Sequence, residues 1–145
     1  MYSYEYPRPA LTADIVLLDS NETSVLLIRR GNEPFKDCWA FPGGFFDMED
    51  RDIEHTASRE LEEETGLTDV ALSLGCIGSR VGRDPRGRTV TAVYVGHVDP
   101  EAVSPRGGDD AKEARWFKLA ELPPLAFDHS EILAKIVRTK INFVR

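Results

Sequence analysis

The stretch that says most about the fold reads Arg59-Glu60-Leu61-Glu62-Glu63-Glu64-Thr65-Gly66-Leu67. In a helix, Glu60, Glu63 and Glu64 stand at positions i, i+3 and i+4, so they project from one face about one turn apart. Like charges at these spacings repel, and a purely structural helix gains nothing from them. Clustered carboxylates are hard oxygen ligands suited to Mg²⁺ or Mn²⁺. The pattern predicts a metal-binding helix, with a solvated helix face as the alternative.

The negative charge of the chain is concentrated around this helix. Residues 47–64 contain nine carboxylates and two arginines, a net charge of −7. The helical pattern runs from about residue 53 to residue 65. Asp52 suits the N-cap, and Gly66 stands where a C-terminal glycine belongs. Upstream, Pro42-Gly43-Gly44 predicts a stiff turn followed by backbone that can approach a metal or a phosphate closely.

Length and composition limit the class of protein. The chain has 145 residues, with 18 Lys and Arg against 25 Asp and Glu, so its formal net charge is also −7. An acidic chain is poorly suited to nonspecific binding of nucleic acid or anionic membrane. We find no apolar run long enough to span a bilayer and no secretory signal. Cys38 and Cys76 are expected to be reduced core residues. We therefore expect a cytoplasmic protein without nucleic-acid or membrane partners.

The rest of the chain predicts a mixture of strands and helices in one domain, residues 1–145. Short apolar or β-branched runs predict strands over 13–18, 24–28, 39–41, 70–77, 89–98 and 115–117. A hairpin turn joins the first two strands. The final helix is predicted over 129–141, with an apolar face made by Ile132, Leu133, Ile136 and Val137. Because no βαβ period repeats, we expect an α+β fold with a mixed β-sheet between helices.

The order of these residues resembles the box of the Nudix hydrolases, G-x5-E-x7-R-E-U-x-E-E-x-G-U with U aliphatic. Gly44 takes the first position, and residues 59–67 match the second half at every specified position. The first half departs from the pattern. Its glutamate falls on Asp50, and eight residues instead of seven separate Asp50 from Arg59. Asp52 is an alternative for the same role.

The resemblance implies the Nudix α/β/α sandwich and hydrolysis of a nucleoside diphosphate linked to another moiety. It also implies that Glu60, Glu63 and Glu64 carry Mg²⁺, or Mn²⁺ as an alternative, with the Gly44 carbonyl as a further ligand. Arg59 would orient the glutamates by ion pairing. Bound metal would neutralise the diphosphate and activate water, which is the chemistry that diphosphate hydrolysis requires.

Four segments outside the box follow one another along the chain: residues 28–31 continuing to 39–45, then 83–87, 110–117 and 125–133. In this order they resemble segments of the bacterial ADP-ribose pyrophosphatases. The resemblance implies ADP-ribose or a close relative as substrate and AMP and ribose 5-phosphate as products. The implied substrate-binding residues are Arg29, Phe45, Asp47, Arg83, Arg86 and His129. Arg83 and Arg86 could clamp a phosphate or a ribose, or be solvent-exposed turn residues. Glu113, like Asp109 and Asp110, could position or deprotonate the attacking water, or belong to a polar loop. His129 is a substrate or general-base candidate, with a structural role as the alternative. Phe35 and Phe45 could stack on adenine, whereas Trp116 and Phe117 are expected to lie in the core.

Other functions stay open. The spacing around Asp50 also resembles that of coenzyme A diphosphatases, and removal of oxidised dNTPs is a further alternative. A non-catalytic nucleotide sensor, like the Nudix half of the regulators of NAD metabolism, belongs to another class. Those regulators carry a winged-helix DNA-binding domain after the Nudix domain, for which we expect no room before Arg145. Related enzymes are often homodimers, so a homodimer is one expectation.

Overall fold

A computed structural model describes residues 2–101, 104–108 and 111–144, with the side chains of the last helix described as far as residue 138. Within these residues the elements, in chain order, are β1 (Ala10–Asp19), β2 (Ser24–Arg30), β3 (Trp39–Ala40), β4 (Gly43–Phe45), α1 (Ile53–Thr65), β5 (Ser73–Gly78), β6 (Thr89–Val98), β7 (Ala111–Lys118), a 3-10 turn (Leu119–Glu121) and α2 (His129–Val144). Asp109 and Asp110 lie outside the described residues. No helix in the described part of the chain is long and apolar enough to cross a membrane.

The sheet is organised around β1. This strand runs parallel to β6 along its whole length, from Ala10 opposite Thr89 to Asp19 opposite Val98. The main path of the sheet is β3-β2-β1-β6-β5; in addition, β4 pairs with β1 and β7 pairs with β2. The pairings other than β1 with β6 are antiparallel. The predicted mixed sheet of an α+β fold is therefore confirmed.

The two helices cover opposite faces of this sheet, because neighbouring side chains of a strand point to opposite faces. Ala13, Ile15 and Leu17 are buried in one apolar cluster, and Val16 and Leu18 are buried in another. The helix residues in these clusters are Ala57 and Leu61 of α1 in the first, and Ile132, Leu133 and Ile136 of α2 in the second. Trp116 packs against the first cluster and Phe117 against the second, as a strand requires. This arrangement is the α/β/α sandwich that the resemblance implies.

The structure differs from the predicted elements mainly around the glycines. Gly43 and Gly44 belong to β4, which is paired with Ala13 and Asp14 of β1, whereas the Pro-Gly-Gly sequence predicts only a turn. Glycine is depleted in strands, so the sequence carries no signal for this pairing. Glycine is required at position 43 for steric reasons, since a Cβ there would lie 2.4 Å from the carbonyl oxygen of Ala13. β1 and β7 also extend beyond their predicted bounds. Cys38 and Cys76 are free thiols and half-buried.

The N-terminus of α1 yields a test of stability. Asp52 is the N-cap, and its Oδ1 accepts a hydrogen bond of 2.8 Å from the backbone N–H of His55. We expect Asp52→Ala to lower the free energy of unfolding by about 1 kcal/mol, because this backbone donor loses its partner. Urea denaturation followed by circular dichroism measures the change. Asp52→Asn keeps an acceptor oxygen and should restore most of the stability; equal losses in the two variants would contradict the capping role.

Candidate active site

A cavity of about 550 Å³ lies where β1, β2, β4, α1, the loop after β5 and the start of α2 meet. This volume is in the range of small-molecule binding sites. Its lining is strongly charged: the acidic residues are Asp14, Glu33, Asp47, Glu60, Glu64 and Asp84, and the basic residues are Arg30, Arg59, Arg83 and Arg86. Aromatic side chains also line it, among them Phe45, Phe127 and His129. Such a surface suits a ligand that carries several charges of its own.

Arg59 organises the acidic face of α1. Its Nε and Nη2 donate to the two carboxylate oxygens of Asp50, both at 2.8 Å, and its Nη1 donates to Glu60 at 2.8 Å and to Glu63 at 3.3 Å. Hydrogen bonds from Arg59 hold the pKa of Asp50 well below its usual range, and the same contacts raise the pKa of Arg59. Asp50 therefore fixes the arginine. Asp52, the alternative residue for this role, is the helix cap instead.

The two glycines of β4 bring backbone up to the carboxylates of Glu60 and Glu64. A Cβ at Gly44 would lie 2.4 Å from the carboxyl carbon of Glu60. The N–H of Gly43 donates to Glu64 at 2.7 Å. Burial raises the pKa of Glu64 to about 8. The hydrogen bond from Gly43 lowers this pKa, whereas the negative charges of Glu60 and Asp14 raise it further. The carboxylates of Glu60 and Glu64 are thus 9% and 6% exposed, and their like charges repel each other.

The donor set fits a divalent cation whose coordination is completed by the substrate and by water. Within the described part of the chain, no group of three or more Asp, Glu, His or Cys side chains is gathered closely enough to hold a metal ion. Mg²⁺, however, is usually held by one or two carboxylates together with substrate phosphates and water. Glu60 and Glu64 match that requirement, and a cation would relieve their mutual repulsion. The side chain of Glu63 is 41% exposed and pairs with Arg59, outside the cavity lining.

His129 and Asp14 form a buried polar contact beside these carboxylates. His129 is 3% exposed, and burial lowers its pKa to about 3, so the ring is neutral near pH 7. Its Nδ1 accepts from the N–H of Phe41 at 3.1 Å, which leaves the proton on Nε2, 3.8 Å from Oδ2 of Asp14. The same oxygen accepts a hydrogen bond of 2.6 Å from Thr91. The geometry gives His129 the structural role of holding the β3–β4 segment.

The loop between β5 and β6 contributes two paired arginines to the cavity. Arg83 is 5% exposed and donates to both oxygens of Asp128, at 3.0 and 2.9 Å, so it is not a solvent-exposed turn residue. Arg86 makes a similar two-bond pair with Asp84, at 3.1 and 2.8 Å, and its guanidinium carbon lies 5.0 Å from the ring centre of Phe45. Arg86 remains partly exposed within the cavity.

Three predicted site residues, Arg29, Glu63 and Glu113, do not line the cavity. Arg29 and Glu113 pair with each other at 3.1 Å on neighbouring strands β2 and β7, and neither lines the cavity. Arg30, one position further along, does line it, as does Ile28, because neighbouring side chains of a strand point to opposite faces of the sheet. Sequence reasoning missed Asp14 as well. Its signal was a carboxylate inside an otherwise apolar strand, since charged groups are rarely buried there without a function or a partner.

The sequence and the fold are similar to those of known proteins. A model of the NUDIX domain matches residues 8–138. The ADP-ribose pyrophosphatase of Methanocaldococcus jannaschii is 42% identical over 135 residues, which are 93% of this chain and 77% of that protein. The ADPR responsive transcriptional repressor NtrR of Acinetobacter baylyi is 34% identical over 89% of this chain, which spans only 53% of the repressor. The solved NUDIX domain of Shewanella oneidensis NrtR complexed with ADP ribose is 30% identical with a TM-score of 0.84, covering 94% of this chain and 90% of that one.

The raised pKa of Glu64 predicts a pH dependence of stability. In the absence of metal, the folded state keeps a proton on Glu64 up to a pKa of about 8, whereas the ordinary value is 4.5. Stability should therefore fall as the pH rises from 6.5 to 8, by up to about 1.4 kcal/mol per pH unit. Below 6.5 two other buried groups act in opposite directions: His129, which takes up a proton on unfolding, makes stability rise with pH, and Asp14, whose pKa burial raises to about 6, makes it fall. Urea denaturation in EDTA across this window measures the fall.

Two glutamine variants make the test specific. Glu64→Gln keeps the acceptor for Gly43 but cannot ionise, so its stability should change much less between pH 6.5 and 8. Glu62→Gln changes an exposed carboxylate of the same helix and should retain the wild-type slope. If the free energy of unfolding falls with pH equally in Glu64→Gln and in the wild type, another group causes the pH dependence.

Proposed function

The chain belongs to the Nudix hydrolase family, and from this premise we propose that it hydrolyses the diphosphate of ADP-ribose to AMP and ribose 5-phosphate with the help of Mg²⁺. The observation that carries the proposal is the placement of Glu60 and Glu64 in one cavity against glycine backbone, beside arginines that can receive phosphate. The identity to an ADP-ribose pyrophosphatase over most of the chain supports the choice of substrate.

The proposed reaction uses one water molecule. Its oxygen bonds to one phosphorus while the bond from that phosphorus to the bridging oxygen breaks; the other phosphate leaves with the bridging oxygen, and a proton is released. When bound, Mg²⁺ would neutralise charge on the phosphate oxygens and make water a better nucleophile. Glu60 and Glu64 would hold the ion, and Gly44 leaves room for them. Arg59 keeps Glu60 in place, and Asp50 keeps Arg59 in place.

The roles of the other candidates follow from their positions. Glu63 shares Arg59 with Glu60, so we propose that it joins the metal site only when this ion pair rearranges. Glu113 is engaged by Arg29 and Arg115, and the geometry gives no support to its role as a base. Phe45 and Asp47 line the cavity next to Arg59 and are proposed substrate contacts.

A nucleotide sensor is the second candidate function. The observation in its favour is the similarity to the repressor of Acinetobacter baylyi and to the NrtR domain solved with ADP ribose. A sensor would bind ADP-ribose without turning it over. The two functions therefore differ in the product and not in the ligand.

Product analysis separates these functions. ADP-ribose, coenzyme A and 8-oxo-dGTP are incubated with the protein, with and without Mg²⁺, and the products are resolved by chromatography. We expect metal-dependent release of AMP and ribose 5-phosphate, with ADP-ribose the preferred substrate. Preferred cleavage of coenzyme A or 8-oxo-dGTP would show that ADP-ribose is the wrong substrate, while the proposed metal-dependent hydrolysis would still hold. Binding of ADP-ribose without turnover would establish the sensor.

Variants of α1 test the metal assignment. Glu60→Gln and Glu64→Gln should each lower kcat for ADP-ribose by about two orders of magnitude, because an amide is a poor ligand for Mg²⁺ and does not neutralise it. Glu62→Gln, on the same helix but exposed, should keep wild-type turnover. Steady-state kinetics at saturating Mg²⁺ measures the change, and circular dichroism verifies the fold. Wild-type kcat in Glu64→Gln would refute the assignment.

A further inference from the structure

Asp14 of β1 has one carboxylate oxygen engaged by the protein and the other left over. Its Oδ2 accepts a hydrogen bond of 2.6 Å from the hydroxyl of the fully buried Thr91, and Nε2 of His129 lies 3.8 Å from the same oxygen. Its Oδ1 accepts no hydrogen bond from any described residue, although Asp14 is only 8% exposed. Since Asp14 lines the cavity, this second oxygen is available to a ligand there.

A second buried aspartate of the same strand shows how this protein satisfies a structural carboxylate. Asp19 is also 8% exposed and also accepts a hydrogen bond of 2.6 Å from a threonine hydroxyl, that of Thr23. Its other oxygen accepts from the backbone N–H groups of Thr23 and Ser24, at 2.6 and 2.9 Å, so the turn after β1 uses both oxygens. Asp19 does not line the cavity. Asp14 therefore differs from Asp19 by an acceptor that is free and faces a ligand site.

The carboxylate of Asp14 is unfavourable for the fold alone. Burial raises its pKa to about 6, whereas the hydrogen bond from Thr91 and the charge of Arg83 lower it. An apolar side chain would avoid this cost in a strand whose neighbouring residues Ala13 and Ile15 are fully buried. Buried carboxylates of this kind in a cavity are typical of functional positions. Position 14 thus requires a role that packing does not provide.

Gly43 brings the free oxygen of Asp14 close to Glu64. A Cβ at Gly43 would lie 2.4 Å from Oδ1 of Asp14, and the N–H of Gly43 donates to Oε1 of Glu64 at 2.7 Å. Both carboxylates therefore lie against the same glycine. An acceptor beside other carboxylates requires a ligand that donates a hydrogen bond. The ionised oxygens of a diphosphate are acceptors only, whereas a water molecule brings two O–H donors.

We propose that Asp14 is a catalytic residue that orients the attacking water by accepting a hydrogen bond from it at Oδ1, and that Thr91 is a positioning residue that turns Oδ1 toward the cavity. The role of the water rests on the proposed function, in which one water is consumed. Asp14 forms no bond to phosphorus. The oxygen of the oriented water does, while the bond from phosphorus to the bridging oxygen breaks and a proton is released to solvent. Orienting a nucleophile lowers the barrier without changing how tightly the substrate binds.

Asp14→Asn tests the catalytic role, because it keeps the size of the side chain and removes its charge. We expect kcat for ADP-ribose to fall about tenfold to a hundredfold, with little change in KM or in the inhibition constant of the product AMP. Thermal unfolding in EDTA provides a readout without metal or turnover. Above pH 7 the melting temperature of Asp14→Asn should equal or exceed that of the wild type, because the variant no longer buries this charge.

Asp19→Asn is the matched control, since it changes an equally buried aspartate of the same strand. It should lower the melting temperature, because backbone donors of the turn lose a charged acceptor, and it should keep wild-type kcat. The same result in Asp14→Asn would show that Asp14 is structural and would overturn the proposal. A rise in KM at unchanged kcat would show that Oδ1 binds a hydroxyl group of the substrate, and it would overturn the proposal as well.

Two variants of Thr91 test the positioning role separately. Thr91→Val removes the hydroxyl that donates to Oδ2 and should lower kcat several-fold, whereas Thr91→Ser keeps a hydroxyl and should restore most of the turnover. Equal kcat in these two variants would refute the positioning role. If Asp14→Asn is unfolded, this pair carries the test.

The same measurements separate this proposal from the proposed function. If the wild type prefers coenzyme A or 8-oxo-dGTP, the variants are compared on that substrate, because its hydrolysis also consumes a water. A wild type without turnover on any of the three would overturn both proposals. An active wild type with an equally active, folded Asp14→Asn would overturn the role of Asp14 and leave the proposed function in place.

Discussion

Arg59 is the cation on which the acidic face of α1 depends, because it is within hydrogen-bond distance of Asp50, Glu60 and Glu63. One guanidinium cannot neutralise this face completely, and the buried Glu64 does not contact it. Burial raises the proton affinity of Glu64, and the negative charges of Glu60 and Asp14 raise it further; a divalent cation would relieve that charge. Glu64 thus connects the stability of the metal-free protein to its chemistry.

The start of α2 fixes the geometry around that helix face. His129 accepts from the N–H of Phe41, and Ala126 donates to the carbonyl oxygen of Trp39, so the segment leading to the glycines is anchored at both ends. Asp128 holds Arg83 through a buried two-bond ion pair. Since buried pairs are costly to break, this segment positions the β4 glycines and the loop after β5 together.

The cavity has a negatively charged region and a positively charged region. Carboxylates from α1 and β1 suit a cation, whereas Arg30 and Arg86 suit an anion. A diphosphate that carries its own metal ion satisfies both. The net charge of −7 describes the chain as a whole and conceals this local positive charge, so overall charge alone is a poor guide to the ligands of such a cavity.

The sequence by itself determined the acidic helix, its caps, the mixed α+β fold and the shared face of Glu60 and Glu64, because helical periodicity and capping are local properties of the chain. Only the tertiary structure decided which face of β2 meets the cavity: the face that carries Ile28 and Arg30 does, and the face that carries Arg29 does not. It also decided that Asp14 and Phe127 line the same cavity as Glu60 and Glu64, since they come from a strand and a loop distant in sequence from the helix. Long-range strand pairing carries no short-range signal, and for that reason the carboxylates of α1 were predictable from the sequence, whereas the positions of Asp14, Arg30 and Phe127 in the site were not.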